Sequence, residues 1–204
     1  MPSPIRRVFF SECVFDVWEN VYEPAEDSFL LAGNIKVKDS EEVLDVGTGC
    51  GILGIVAASR SARVIAVDVN PYAVRCAKEN AKKNSVNDRM FFVQGDLFAP
   101  LRIGEKFDLI LFNAPYLPTK PQKSVSWIER AWAGGANGRQ IIDRFICEST
   151  RYLKCTGRVF LLQSTLSDSD RTVDDFESMG LKARIVATQT LPFFESIVLI
   201  EAKL

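Results

Sequence analysis

The stretch VLDVGTGCGILG, Val43 to Gly54, decides the fold. The apolar run before Gly47 reads as a buried strand, and the apolar run after Gly51 reads as the opening of a helix. Between them Gly47, Gly49 and Gly51 allow positive φ and a close approach of backbone to ligand. A strand, a glycine turn and a helix N-terminus together form a site where N–H groups and the helix dipole can hold an anionic group. Gly49 to Gly54 also spells G-x-G-x-x-G, so a dinucleotide is an open alternative on this motif alone.

Outward from this stretch, short β-rich runs alternate with helical ones. EEVLDV is followed by ILGIVAASR, ARVIAVDV, PYAVRCAKENAKKN and RMFFVQGD, the order of repeated βαβ units. The helix from Pro71 has Asn70 as its N-cap and proline at its first position, and its apolar stripe runs through Val74, Ala77 and Ala81. FDLILFN reads as a further buried strand, Gly138 to Leu153 as a helix, GRVFLLQS as a strand, and Asp168 to Met179 as a polar helix. ARIVATQT and SIVLIEA, joined by Leu-Pro-Phe-Phe-Glu, are expected to pair as an antiparallel hairpin. The expected fold is therefore α/β and Rossmann-like: seven strands, mostly parallel, closed by a C-terminal hairpin. One domain spanning 1–204 is expected, with an N-terminal extension and first helix in 1–41 and the core in 42–204. The longest irregular stretch, Ala114 to about Ala136, follows a strand end and suggests substrate recognition.

Strand-end carboxylates extend the cofactor reading. Asp45 lies beside the glycine turn, Asp68 ends the next strand where it can accept from two ribose hydroxyls, and Asp96 can accept from an exocyclic adenine amine. Any one of them could instead cap a helix or turn. With Gly47, Gly49 and Gly51 they fit an adenosyl ligand, S-adenosylmethionine, whose carboxylate would lie at the glycine turn. Asn113-Ala114-Pro115-Tyr116 ends the fourth predicted strand, on the edge of the sheet where α/β folds bind ligands. A planar nitrogen is a poor nucleophile because its lone pair is delocalised; amide resonance gives a rotation barrier of about 18–20 kcal/mol. Asn113 Oδ1 and the Ala114 carbonyl can accept two N–H bonds, aim the lone pair and stabilise charge developing on nitrogen. Pro115 biases Ala114 away from helical geometry, which turns that carbonyl inward, and Tyr116 can wall the acceptor. These four residues are the candidate catalytic group. An ordinary Asn-x-Pro turn is the competing explanation.

Composition removes other chemistries. The 204-residue chain contains no histidine, so His-dependent triads, His metal ligands and His general bases are excluded. Its five cysteines form no C-x-x-C pair, and no metal site is expected. The formal charge of −1 gives no footprint for a nucleic-acid backbone and argues against such a partner. No apolar run reaches the roughly 20 residues of a membrane span, and MPSPIRRVFF lacks the apolar core of a signal peptide, so a cytoplasmic protein is expected.

Five segments in order resemble the HemK family of glutamine methyltransferases, in its archaeal and eukaryotic branch: VYEPAEDSFLL (Val21 to Leu31), VLDVGTGCG, VDVNP (Val67 to Pro71), LFNAPYLPT (Leu111 to Thr119) and AWAGGANGRQIIDRF (Ala131 to Phe145). The resemblance implies S-adenosylmethionine as cofactor and N5-methylation of the glutamine in a Gly-Gly-Gln tripeptide of a class I translation release factor. It also implies a hydroxyl beside the cofactor at Ser28, a loop near the substrate at Trp132-Ala-Gly-Gly135, and a small zinc-binding activator subunit. RMFFVQ, as an edge strand, is the candidate surface for that subunit. Asn137 is the expected N-cap of the helix after the Trp132 segment. The family's tetrapeptide is Asn-Pro-Pro-Tyr; alanine at 114 keeps the carbonyl but removes one ring, and a looser site is expected. The same tetrapeptide chemistry serves adenine N6 methylation of DNA or RNA, the main alternative. A non-catalytic methyltransferase-fold subunit is a second, and a nicotinamide dehydrogenase, resting on Gly49 to Gly54 alone, a third.

Overall fold

Parallel strands buried on both faces explain the near-continuous apolar runs of the sequence. The computed structural model describes residues 5–60, 62–120, 125–191 and 195–204. Strands β1 (Arg6–Phe10) and β2 (Cys13–Val17) form a hairpin, followed by helix α1 (Glu26–Asn34). Then come β3 (Glu42–Val46), α2 (Ile52–Ser59), β4 (Arg63–Asp68), α3 (Pro71–Lys83), β5 (Met90–Gln94) and β6 (Phe107–Asn113). The chain continues through α4 (Trp127–Trp132), α5 (Gln140–Ser149), β7 (Leu153–Ser164), α6 (Ser169–Ser178), β8 (Lys182–Thr190) and β9 (Ser196–Lys203). The main sheet has the order β5-β4-β3-β6-β7-β9-β8, with β9 antiparallel to both β7 and β8. This is the expected seven-stranded sheet and terminal hairpin, although residues 192–194 of the hairpin connection lie outside the described residues.

Alternation along β6 fixes what each face does. Leu109 and Leu111 join the core on the side of α1, α2 and α3, while Ile110 and Phe112 join the core containing Phe145 and Ile146 of α5 and Phe176 of α6. Phe112 stacks on Phe145 with ring centroids 4.4 Å apart, a contact worth about 0.5–1.5 kcal/mol beyond burial. With a period of two, Asn113 emerges on the α1 side, and β6 delivers it to the first turn of that helix.

Helix α3 starts as its sequence predicts, with Asn70 Oδ1 accepting from Tyr72 N at 2.9 Å. Its far end does something no local pattern signals. Asn80 and Asn84 hydrogen-bond both N–H and C=O of Asp16 and Val14, respectively, at 2.8–3.0 Å. Two side-chain amides thus close the inner edge of β2 and dock the hairpin, which occupies the expected N-terminal extension.

Three expectations need correction. The stretch from Ala114 to Ala136 is not irregular throughout: Ser126 and Glu129 form a reciprocal capping box that starts α4, while residues 121–124 lie outside the described residues. The helix expected from Gly138 to Leu153 spans only Gln140–Ser149 before a 3-10 turn at Thr150–Tyr152. Asn137 is not its N-cap; Arg139 holds that position, and Asn137 Oδ1 accepts from Arg139 N within a short turn. Among the described residues no helix is long and apolar enough to cross a membrane.

Arg139 is almost fully buried, and its guanidinium ties α5 to α6. Nη1 donates to the carbonyls of Ser167 and Asp168 and to Thr172 Oγ1, and Nη2 donates to Asp175 Oδ2. Without the guanidinium, the buried Ser167 carbonyl and Thr172 hydroxyl lose a donor, whereas Asp143 and Asp175 keep over a third of their side-chain surface in solvent. Arg139→Met is therefore expected to lower unfolding stability by about 1–3 kcal/mol, read from the midpoint of urea denaturation at unchanged slope.

Candidate active site

At the carboxyl ends of β3, β4, β5 and β6 lies a cavity of about 890 Å³, within the range of about 300–1,000 Å³ usual for small-molecule sites. It sits where the chain, having run from β3 outward to β5, returns to β6 on the other side of β3, the switch point of an open α/β sheet.

The glycine turn is built from below. Asp45 is fully buried; its Oδ2 accepts from Thr48 Oγ1 at 2.6 Å and from Gly54 N at 2.9 Å. A Cβ on Gly54 would meet that same oxygen at 2.9 Å, so the close approach of α2 to β3 requires glycine there. Gly51, at φ +92, would place a Cβ 3.1 Å from the Ala77 backbone. Asp45 and Gly51, expected to bind cofactor, do not line the cavity; they hold the turn in shape. Gly47 and Gly49 do line it, both at positive φ. The Thr48, Gly49 and Gly51 N–H groups are already bonded to Val67 O, Asp68 Oδ2 and Thr48 O, which leaves fewer free donors for an anion than the sequence suggests.

Asp68 faces the cavity with Oδ2 accepting from Gly49 N and Oδ1 from Asn70 N. Burial raises its pKa, and each oxygen retains a lone pair for a ligand hydroxyl. Asp96 also lines the cavity but is half-exposed and paired with Arg144 at 2.7 Å. The deep carboxylates, Asp27 and Asp68, are buried or nearly so, whereas Lys120, Arg130 and Arg144 lie toward the exposed rim. An acidic interior suits a ligand that carries a cation and sugar hydroxyls, as S-adenosylmethionine does, and disfavours the diphosphate of a nicotinamide dinucleotide.

Asn113 projects toward α1, as the alternation of β6 requires. Its Nδ2 donates to Asp27 Oδ2 at 3.1 Å and to Ser28 Oγ at 3.2 Å. Its Oδ1 is buried with no hydrogen-bond partner among the described residues. An orphaned buried acceptor costs about 1–3 kcal/mol; with under 1 Å² of its surface accessible, this oxygen meets a ligand N–H only once the side chain or its neighbours shift. Tyr116 Oη donates to the same Asp27 oxygen at 3.2 Å, and Tyr22 Oη at 3.1 Å. Burial first, then the Asp27 charge, raises both phenol pKa values, so both remain neutral donors. Asp27 and Tyr22 escaped the sequence reading as site residues although both stand in VYEPAEDSFLL. Ser28, Asn113, Ala114, Pro115 and Tyr116 all line the cavity.

The alanine at 114 brings a backbone donor with it. Its N–H donates to Leu162 O on β7 at 3.1 Å, a bond that proline could not make. The outer wall is held by glycines: Gly138, at φ +75, would place a Cβ 2.3 Å from Tyr116 O. Trp132-Ala-Gly-Gly135 runs beside Leu117 to Thr119, bonded through Leu117 N to Trp132 O, Gly134 N to Leu117 O and Thr119 N to Gly135 O. On α4, Arg130 lies over the Trp127 ring at 5.0 Å, and both line the cavity mouth.

Fold and cavity define a class I methyltransferase. Residues 23–184 match the methyltransferase small domain family. The putative protein N5-glutamine methyltransferase MJ0928 of Methanocaldococcus jannaschii is 45% identical over 181 residues, covering 88% of this chain and 90% of that protein. Human methyltransferase HEMK2 is 36% identical over 176 residues, 81% of each chain. The solved structure of the E. cuniculi Mtq2-Trm112 complex shares the fold at a TM-score of 0.70 and 24% identity, covering 90% of this chain and 98% of that one. The chain belongs to the HemK family of protein-glutamine methyltransferases.

Burial raises the Asp45 pKa to about 7. Between the ordinary carboxylate value and 7 the native state then holds a proton that the unfolded chain has lost, so stability falls as pH rises through this window and levels off above it. The slope approaches about 1.4 kcal/mol per pH unit. Asp45→Asn is expected to remove that dependence, measured as melting temperature against pH for both proteins.

Proposed function

We propose that the chain transfers a methyl group from S-adenosylmethionine to the side-chain nitrogen of the Gly-Gly-Gln glutamine in a class I translation release factor. The observation that carries this reading is the unpartnered Asn113 Oδ1, a buried acceptor beside a cavity large enough for cofactor and a planar side chain. The M. jannaschii relative is named a putative protein N5-glutamine methyltransferase, and the E. cuniculi complex is described as responsible for methylating the eRF1 termination factor.

In this reading Gly47 and Gly49 border the methionine end of the cofactor, Asp68 accepts from its ribose, Asp96 reads its adenine amine, and Ser28 lies beside it. Asp45 and Gly51 act from beneath, by shaping the turn. When bound, the cofactor supplies an electrophilic methyl group on a sulfonium. Asn113 Oδ1 and the Ala114 carbonyl accept the two N–H bonds of the glutamine amide, which turns its nitrogen lone pair toward the cofactor and stabilises positive charge as it builds. Pro115 holds the carbonyl in place, and Tyr116 walls the planar group. No general base is needed before transfer, because the nitrogen becomes acidic once alkylated and loses its proton afterwards.

The whole chain, 1–204, acts as one domain in the cytoplasm. A small zinc-binding activator subunit is the proposed partner. Its docking strand would be β5, at the edge of the sheet with Phe91 more than half exposed; such an edge accepts strand addition. Arg130 and Trp127 stand where a peptide flanking the glutamine would enter.

Incubation of the release factor with this protein, activator and cofactor, followed by peptide mass spectrometry, is expected to add 14 Da, roughly one methyl group in place of a proton, to the Gly-Gly-Gln glutamine alone. An unmodified glutamine with cofactor demonstrably bound would sink the reading. Asn113→Ala is expected to lower kcat by about 100–1,000-fold, the usual cost of one preorganised hydrogen-bonding group. Calorimetry on the same variant should show cofactor affinity retained.

A further inference from the structure

A carboxamide has nearly the same shape with its oxygen and nitrogen exchanged, so packing alone cannot choose which end of Asn113 faces the cavity. The choice is made behind it. Asp27 Oδ1 accepts from Ser28 N and from Ser28 Oγ at 3.1 Å. Having donated its one hydroxyl proton, Ser28 presents lone pairs to Asn113 Nδ2 at 3.2 Å. Asp27 Oδ2 receives the other Asn113 N–H at 3.1 Å. Both amide protons are thus taken up on the α1 side. Turned over, Asn113 would set its oxygen against a carboxylate and a hydroxyl oxygen, and would aim two donors into the cavity.

We infer that Asp27 is the positioning residue that sets the polarity of the acceptor site, keeping Asn113 Oδ1 toward the cavity so that the site receives an N–H-bearing group. This rests on the methyl-transfer reading above for its consequence, but the orientation itself can be tested independently. Tyr22 and Tyr116 bond the same oxygen, so Asp27 also links the N-terminal segment, α1, the end of β6 and the loop after it.

Exchange of the two side chains separates orientation from scaffolding. In Asp27→Asn the Ser28 backbone N–H cannot turn away, so the new amide keeps its oxygen there and presents NH₂ to Asn113. Asn113 must then turn over to offer its own oxygen, and the cavity loses its acceptor. In the double variant Asp27→Asn/Asn113→Asp, the residue at 113 has oxygen at both ends and the acceptor returns. D27N is expected to lower kcat by about 100-fold or more, as for loss of one preorganised group, with KM for the release factor and cofactor affinity changed less than about threefold. The double variant should recover at least tenfold of that loss, although each single change is damaging. A D27N enzyme with wild-type kcat, or one whose KM rises and cofactor affinity falls along with kcat, overturns the inference; so does a double variant no better than D27N. Were D27N to misfold, the activity of the double variant alone decides.

The side-chain amide signal of Asn113 in ¹⁵N-resolved NMR, assigned by its disappearance in Asn113→Asp, supplies a readout free of turnover. It is expected to be protected from exchange in the wild-type protein and to shift with loss of protection in D27N. If the wild-type protein methylates no release factor, the functional reading fails and this signal alone decides the orientation: an unmoved, equally protected resonance in D27N overturns it.

Discussion

Parallel pairing of β3 with β6 is the constraint from which the site follows. The two strands run side by side from Val43–Leu109 to Val46–Phe112, yet the chain leaves them toward opposite halves of the sheet. No tight turn can close such a junction, since parallel neighbours require long crossovers. Their carboxyl ends are therefore left as the two lips of a crevice. One lip is the glycine turn after Val46, shaped by Asp45 from below; the other is Asn113 to Tyr116. Helix α1, which packs across the same end of the sheet, supplies the back wall through Asp27 and Ser28.

The electrostatics of that crevice run counter to a first impression of the sequence. A glycine turn before a helix suggests an anion cradle, but three of its N–H groups are bonded within the protein, and the deep charges are carboxylates. The cations stay at the rim, where Arg144 neutralises Asp96. A diphosphate placed here would face Asp68 and Asp27 with few donors to offset the repulsion. A sulfonium would meet the opposite field. The G-x-G-x-x-G spelling thus reports the packing needs of a strand–turn–helix unit, seen at Gly51 and Gly54, more than the identity of the ligand.

Legibility divides by the range of the interaction. The βαβ order, the Asn70 cap and the terminal hairpin could be read because each rests on local periodicity or on a capping pair two residues apart. Helix α4 carried a local signature as well, Ser126 followed by Glu129, but its six residues lie within a long segment of prolines and charges that reads as loop. The docking of the first hairpin was not legible, since Asn80 and Asn84 look like ordinary polar positions of an amphipathic helix until β2 is placed beside them. Asp27 is the sharpest case. Its bonds to Asn113 and Tyr116 span 86 and 89 positions, and nothing in the spacing of an acidic residue in a helix's first turn distinguishes this role from a favourable dipole contact. Asp45 was legible as important, but spacing does not say whether a strand-end carboxylate beside a glycine turn faces the ligand or the backbone; its Oδ2 accepts from Thr48 Oγ1 and Gly54 N, while its Oδ1 has no partner among the described residues.

The alanine within the tetrapeptide shows how a motif's chemistry can outlast one of its residues. The proposed mechanism asks for a carbonyl of fixed direction at 114, and two devices can fix it. A proline ring does so by restricting φ. An alanine leaves φ free but restores an N–H, and β7 lies in register to take it: Asn113 pairs with Leu162, whose carbonyl accepts the Ala114 N–H. One more rung of the parallel ladder thereby extends past the end of β6. A net backbone hydrogen bond is worth about 0.5–1.5 kcal/mol, comparable to the 0.4–1 kcal/mol or so gained when proline restricts the unfolded chain, so the two solutions are of similar strength. Pro115 then imposes its own restriction on Ala114 from the following position, and the carbonyl is held from both sides.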